Sequence, residues 1–276
     1  MFCLMYFSVR LNMSRSRTRR SSDGMSTNSL SSLIPDVIAS ATNEHISTIS
    51  TGQRVVTGTT VYCICALATG YGVNAIEFDK EKNVAYAAET YLSRHTRGER
   101  TDVITTYDMK TLSAVNEIVI PPKLASGSPI RHYSGILRQG STELMLVTNI
   151  TPAVSISIVD LGVGKFVNEI NTAGCGLVYP SGELSFLQLC GDGTAQLIRL
   201  DADGQEVERS RSEVFFDLQI DPLMEKAVQT PGGWIFNTFQ GDVYQVSFAG
   251  GRIDVRKLFK IASDNPGWRV GGMQPL

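Results

Sequence analysis

The chain has 276 residues, is 42% hydrophobic and 19% charged, and carries a formal charge of −2. Such a composition is ordinary for a globular protein of one large or two small domains, and its balance supplies no overall basic field for nucleic acid or an anionic membrane. No apolar run approaches the ~20 residues of a membrane-spanning helix; "VYCICALATGYGV" (61–73) is too short and interrupted by glycine.

The first residues, "MFCLMYFSV", are apolar but lack a basic start and a small-residue cleavage signal, so they fit a secretory peptide poorly. Residues 1–60 hold six arginines, three acids and no lysine, which leaves the rest of the chain mildly acidic. "SRSRTRRSSDGMSTNSLSS" (14–32) is polar and aperiodic, the composition of a disordered tail. A basic targeting arm or a misassigned start would read the same way. We take 1–54 as a Ser/Arg-rich leader, disordered or misassigned, and 55–276 as the folded domain.

"VVTGTTVYCICALATG" (55–70) reads as a fragment of a β unit, and from about residue 70 short β-branched and aromatic runs dominate. "VAYAAETYL", "VITTYD", "NEIVIP", "ELMLVTN", "SISIVDL", "KFVNEI", "LSFLQL", "AQLIRLD", "GWIFNTF", "DVYQVSF" and "DVRKLFKI" follow one another as strands. Between them lie "DKEKN", "PSG", "GDG", "DADG", "PGG" and "AGG", all turn-formers. No long helical period is present, so the chain is all-β. Strands closing on Asp108, Asp160 and Asp201 each lead through a polar hairpin to a return strand, as "VYQVSF" does through "AGG". A four-stranded unit recurring every ~40–50 residues marks a β-propeller; a β-sandwich would not explain the recurrence. About four to five blades are expected. The pattern stops within a unit at "GWRVGGMQPL", so the expected ring is incomplete.

The search for chemistry yields little. His45 lies in the leader, and His95 and His132 fall in loops with no matching nucleophile. No H-x-H, H-E-x-x-H or G-x-S-x-G pattern occurs, and "GVGK" (162–165) is a hairpin fragment rather than a phosphate loop. No residue is assigned a catalytic, cofactor-binding or metal-binding role; a propeller hydrolase with a calcium or zinc centre would need acids or histidines converging on the inner strands. Among Cys3, Cys63, Cys65, Cys175 and Cys190 there is no C-x-x-C pair. Cys63 and Cys65 share one strand face and read as small buried hydrophobes. Strands folded back at the Pro-Ser-Gly turn would bring Cys175 and Cys190 together. A disulfide there would contribute ~3 kcal/mol by loop closure and point to an oxidising compartment. The basic stretch "SRHTRGERTD" (93–102) sits between two strands, and its Glu99 and Asp102 can offset Arg94, Arg97 and Arg100. It reads as a solvated or ion-paired connector rather than a ligand contact.

"AETYLSRHTRGERTDVITTYDMKTLSAVNEIVIPP" (88–122), "PAVSISIVDLGVGKFVNEI" (152–170), "CGDGT" (190–194) and "GWRVGGMQ" (267–274) occur in an order that resembles the heavy chain of the quinoprotein amine dehydrogenases, methylamine and aromatic amine dehydrogenase. The resemblance covers roughly residues 70–276. It implies a seven-bladed propeller in a periplasmic complex of two heavy and two light chains. The tryptophan tryptophylquinone cofactor would sit on the light chain, and this chain would carry none. The complex would oxidise primary amines to aldehyde and ammonia and pass electrons to a small copper protein of the amicyanin or azurin kind, without nucleic acid or membrane insertion. It also implies that Cys175 and Cys190 form the family's heavy-chain disulfide. Trp268 and Arg269 match a "GWRPGGWQ"-like segment in which Val270 and Met273 replace the proline and second tryptophan. A stand-alone propeller that binds a ligand or protein is the alternative function.

Overall fold

The computed structural model describes residues 55–57, 60–62, 69–70, 75–125, 131–261, 263–265 and 267–271. The leader, Cys3, His45, Cys63, Cys65 and Met273 lie outside them. A hairpin pairs β1 (Val55–Thr57) with β2 (Thr60–Tyr62). Four four-stranded antiparallel sheets follow, each a meander in chain order. Blade 1 is β3 (Ile76–Asp79), β4 (Val84–Leu92), β5 (Arg100–Asp108) and β6 (Ser113–Ile120). Blade 2 is β7 (Ser134–Gln139), β8 (Thr142–Asn149), β9 (Ser155–Asp160) and β10 (Lys165–Asn171). Blade 3 is β11 (Cys175–Pro180), β12 (Ser185–Cys190), β13 (Ala195–Leu200) and β14 (Glu206–Arg211). Blade 4 is β15 (Val228–Thr230), β16 (Gly233–Asn237), β17 (Asp242–Ala249) and β18 (Arg252–Lys260). First strands β3, β7 and β11 are neighbours from blade to blade, as the inner strands of a propeller are. Where β7 meets β11 the approach is close: a Cβ on Gly135 would lie 2.9 Å from the Val178 and Pro180 side chains, which is why a glycine stands inside a strand.

The apolar runs follow from burial on both faces. Along β8, Leu144 and Leu146 pack with Phe186 and Ile198 of blade 3, while Met145 and Val147 pack with Tyr86 and Ile104 of blade 1. A strand covered on both sides reads as continuously apolar rather than alternating, and each such side chain contributes about 1.5–3 kcal/mol. The same logic makes Tyr179, Leu187, Trp234 and Phe236 the seam between blades 3 and 4. Fourth strands are the more exposed, β14 "EVERSR" almost wholly so, although Ile118 and Ile120 of β6 and Ile170 of β10 join the core.

The recurring aspartates have one shared task. Asp108 Oδ1 accepts the backbone N–H groups of Lys110 and Thr111, Asp160 Oδ1 those of Gly162 and Val163, and Asp201 Oδ1 those of Asp203 and Gln205. Each carboxylate closes the hairpin between third and fourth strands. In blade 4 the hairpin instead uses Gly250 and Gly251, at φ of +57° and +75°, where L side chains are disfavoured.

Antiparallel meanders sort the connections onto two rims. The turns within each blade between first and second, and between third and fourth, strands share one rim, hereafter the turn rim. Loops between second and third strands and the crossings between blades share the other, the loop rim. On the loop rim, the crossing after β6 is held by Asp102, which is fully buried. Its carboxylate accepts from Arg100 Nε and Nη2, both at 2.8 Å, from Thr90 Oγ1 at 2.9 Å and from the Leu124 N–H at 2.8 Å. Arg100 Nη2 also donates to the Leu124 carbonyl at 2.9 Å. Leu124 bridges Asn149 of blade 2, and Lys123 pairs with Glu169 at 2.8 Å, so blade 1 grips the strap and the strap grips blade 2.

On the turn rim the same two blades share an ion network. Arg138 of β7 reaches Asp79 at 3.1 Å and Glu143 at 3.0 Å, and Lys82 also pairs with Glu143. Burial alone would raise both carboxyls; the Lys82 N–H and Arg138 hold Asp79 below its usual range, and the Lys82 and Arg138 side chains do so for Glu143.

Asp102→Ala leaves Arg100 and the Leu124 N–H without their acceptor, and should lower unfolding stability by about 2–4 kcal/mol in denaturant titration; Thr90→Val should cost about 1 kcal/mol. Carboxyls with depressed folded values stabilise above their unfolded pKa of about 4 and lose that contribution as pH falls through the folded values. Arg138→Met should therefore flatten the decline of melting temperature below about pH 4–5, a comparison made by calorimetry across pH.

Candidate functional site on the loop rim

The basic stretch forms the β4–β5 hairpin. Ser93 N–H donates to the Glu99 carbonyl at 2.9 Å and Arg94 N–H to that of Arg97 at 2.9 Å, while Ser93 Oγ accepts the Glu99 N–H at 3.0 Å. His95 and Gly98 adopt φ of +66° and +101°, which lets the tip close within seven residues. The expected charge offset holds for Arg100 with Asp102. At the tip Arg94, His95 and Arg97 are exposed, and among the described residues Arg94 and Arg97 have no ion pair, so there the connector is solvated. The reason is geometric, because Asp102 points inward at the strap and cannot reach the tip.

A second carboxylate is buried beside it. Glu89, fully inaccessible, accepts hydrogen bonds from the Thr105 hydroxyl, from the Tyr107 hydroxyl at 2.9 Å, from the Tyr91 hydroxyl at 3.1 Å and from the Gly70 N–H at 3.0 Å. Burial and the adjacent carboxylate push Tyr91 up to about 12 and Tyr107 higher still, so both phenols stay protonated donors at neutral pH. Gly70 fits because a Cβ would lie 2.7 Å from the Thr90 carbonyl. The arrangement ties the segment at residue 70 to blade 1. The sequence offered no signal for it, since Glu89 stands in a run that reads as an ordinary strand.

Cys175 and Cys190 are directly opposed in the β11–β12 register, with sulfurs 2.07 Å apart. Both residues are buried, and Arg211, ion-paired to Asp192 at 2.7 Å, places Nη2 3.4 Å from the Cys175 sulfur. His132 precedes β7 and stacks on Tyr179 at 4.3 Å between ring centroids, with Trp234 edge-on to both. The Tyr179 hydroxyl donates to the Glu225 carbonyl at 2.5 Å and Trp234 Nε1 to the Pro180 carbonyl at 3.0 Å. This is a buried aromatic joint between blades 2, 3 and 4, absent from a reading that put His132 in a loop. His132 and His95 are therefore not brought together. Trp268 is exposed, and among the described residues Arg269 donates to the Trp268 carbonyl.

Among the described residues no three His, Cys, Asp or Glu side chains are grouped to hold a metal. A cleft of about 160 Å³ between β13–β14 and the β17–β18 hairpin contains the Arg199–Glu208 pair, Ser210 and Phe248, and an open hollow of about 560 Å³ beside it is lined by Pro231, Phe248, Arg252 and Asp254 among others; the first is small beside ligand pockets of ~300–1,000 Å³, and the second falls within that range. What the site offers is a structured rim, with loops fixed by buried carboxylates, a cystine and an aromatic joint.

Comparison with known proteins agrees with the motif order. The family model described as methylamine dehydrogenase heavy chain (MADH) matches residues 39–276. The chain is 25% identical over 196 residues to the methylamine dehydrogenase heavy chain of Methylorubrum extorquens, the alignment covering 68% of this chain and 47% of the relative. It is 24% identical over 199 residues to that of Methylobacillus flagellatus, with the same coverages, and 24% over 193 residues to that of Paracoccus versutus, covering 68% and 44%. The chain thus spans about half the length of the curated relatives it matches. With a family match running from the leader through all four blades, the chain belongs to the methylamine dehydrogenase heavy chain family.

Proposed function

We propose that this chain is the non-catalytic heavy subunit of a periplasmic amine dehydrogenase, with residues 55–276 forming its propeller domain. The observation that carries this reading is the family match over residues 39–276. In the proposed complex of two heavy and two light chains, the light chain supplies the tryptophan tryptophylquinone cofactor. The reaction takes a primary amine and water to an aldehyde, ammonia, two protons and two electrons, the electrons leaving to a small copper protein. The cofactor carries that chemistry, and the protein around it supplies binding and orientation.

The side chains of this chain support such a division of labour. Among the described residues the fully buried carboxylates, Glu89 and Asp102, are engaged by hydroxyls, guanidinium and backbone N–H groups and serve to fix loops. The opposition of Cys175 and Cys190 fits a disulfide formed in an oxidising compartment. The chain holds Trp234 and Trp268 as its two tryptophans; the first is locked in the aromatic joint.

Two measurements test this. The purified chain alone should reduce no dye with methylamine or an arylalkylamine and show no quinone absorbance, whereas the complex with a light chain should do both; turnover by the chain alone would overturn the assignment. Alkylation of the same preparation without reductant, read by mass spectrometry, should leave Cys175 and Cys190 unmodified.

A further inference from the structure

Near the turn rim, blade 3 turns a polar face toward blade 4. Antiparallel register lines up Ser185, Arg199 and Glu208 as one row across β12, β13 and β14, and Leu187, Leu197 and Ser210 as the next. Both rows lie on the side that packs against blade 4, because Leu187 belongs to the seam with Trp234, Phe236 and Val246. Deep in that seam apolar groups meet apolar groups. Toward the rim the polar row meets Phe248 of β17 instead, and the cleft of about 160 Å³ opens between them. Ser181 of the β11–β12 turn and Gly251 of the β17–β18 hairpin complete its lining. A Cβ on Gly251 would collide with Glu208 Oε1, so glycine is what lets the hairpin approach the carboxylate.

The hydrogen-bonding capacity left in the cleft is mixed. Arg199 Nε and Nη2 both donate to Glu208 Oε2 at 3.1 Å, so among the described residues Arg199 Nη1 and Glu208 Oε1 are not taken up. Ser181 and Ser185 direct their hydroxyl protons at the Tyr179 and Glu183 carbonyls, at 2.7 and 3.1 Å, which leaves their oxygens as acceptors. Ser210 Oγ is shielded from solvent and has no hydrogen-bond partner among the described residues, a state that costs free energy unless a partner offsets it.

This inventory selects a ligand class. A carboxylate or phosphate, which only accepts, would pair with Arg199 but face Glu208 and the serine lone pairs; an ammonium group would face Arg199. A hydroxyl donates and accepts at one atom, so hydroxyls on adjacent carbons can donate to Glu208 Oε1 while accepting from Arg199 Nη1. Phe248 supplies an apolar wall for the carbon chain. A cavity of ~150 Å³ holds benzene, whose heavy-atom count glycerol matches, so the volume suits a polyol of about three or four carbons. We propose that this cleft between blades 3 and 4 binds a small polyol, with Arg199, Glu208 and Ser210 meeting its adjacent hydroxyls and Phe248 its carbon chain. The site stands on this chain's own side chains and is independent of the heavy-subunit reading.

The test is ligand-observed saturation-transfer NMR of the full chain with erythritol, using butanol and acetate as probes that lack paired hydroxyls. Polyols also stabilise proteins by exclusion from the surface, so saturation of the signal, rather than a rise in melting temperature, is the readout. Erythritol should give a saturable signal that glycerol competes away, and butanol and acetate should not. Ser210→Val, which removes the hydroxyl and fills the cleft, should weaken binding about tenfold or more, and Glu208→Ala should do likewise. Both lie on the exposed strand β14, and circular dichroism melts identify any variant that fails to fold. Arg209→Ala, on the opposite face of the same strand, should leave binding unchanged. A signal that rises without saturating, butanol or acetate binding as well as erythritol, or folded Ser210→Val and Glu208→Ala chains that bind like the unaltered one would each overturn the proposal.

Discussion

Asp102 is the point at which the blade repeat becomes a positioned surface. A four-stranded sheet buried on both faces is stable only against its neighbours, and apolar seams such as that of Leu144, Met145, Phe186 and Ile104 are tolerant of sliding because the hydrophobic effect is non-directional. Hydrogen bonds are directional. A fully buried carboxylate that holds Arg100, Thr90 and the backbone of Leu124 at once fixes where the strap crosses, and the Leu124–Asn149 bridge and Lys123–Glu169 pair pass that position on to blade 2. Leaving any of these groups unpaired in the interior costs far more than the bond contributes in isolation, so the arrangement is close to all-or-none.

The same economy of roles explains the distribution of chemistry. Polar groups that elsewhere would suggest acid–base work are turned inward to hold loops: Glu89 gathers three hydroxyls and the Gly70 N–H, and Tyr179 and Trp234 direct their polar atoms at backbone carbonyls. The outcome is a rim with fixed loop positions. A surface that binds a partner without large rearrangement gains affinity from such preorganisation, which accords with the proposed subunit role.

Much of this architecture was legible in the residues, and the boundaries of legibility are physical. Third and fourth strands stood out because Asp108, Asp160 and Asp201 leave a repeated mark, an acid closing a strand whose Oδ1 caps the next turn. Second strands such as "ELMLVTN" were visible because burial on both faces makes them continuously apolar. First strands were not: β7 and β11 carry Gly135 and Pro180 where inner strands crowd together, and glycine and proline read as turn signals. The stretch 93–102 was placed between two strands, whereas 93–99 form the connector and Arg100–Asp102 begin β5; its residues divide into an anchor, Arg100 with Asp102, and an unpaired tip, Arg94 and Arg97. Linear spacing cannot separate the two because alternation along β5 decides which side chain points inward. Glu89 and the His132–Tyr179–Trp234 joint depend on contacts between distant strands and leave no local trace.

The account comes down to whether Asp102 fixes the strap that joins blades 1 and 2. Hydrogen–deuterium exchange of the full chain and of its Asp102→Asn variant addresses that directly. Exchange should quicken at the amides of Lys123, Leu124 and Ala125, with the turns at 109–112 and 161–164 unchanged. Strap amides that exchange as in the unaltered chain, with the variant folded, would contradict it.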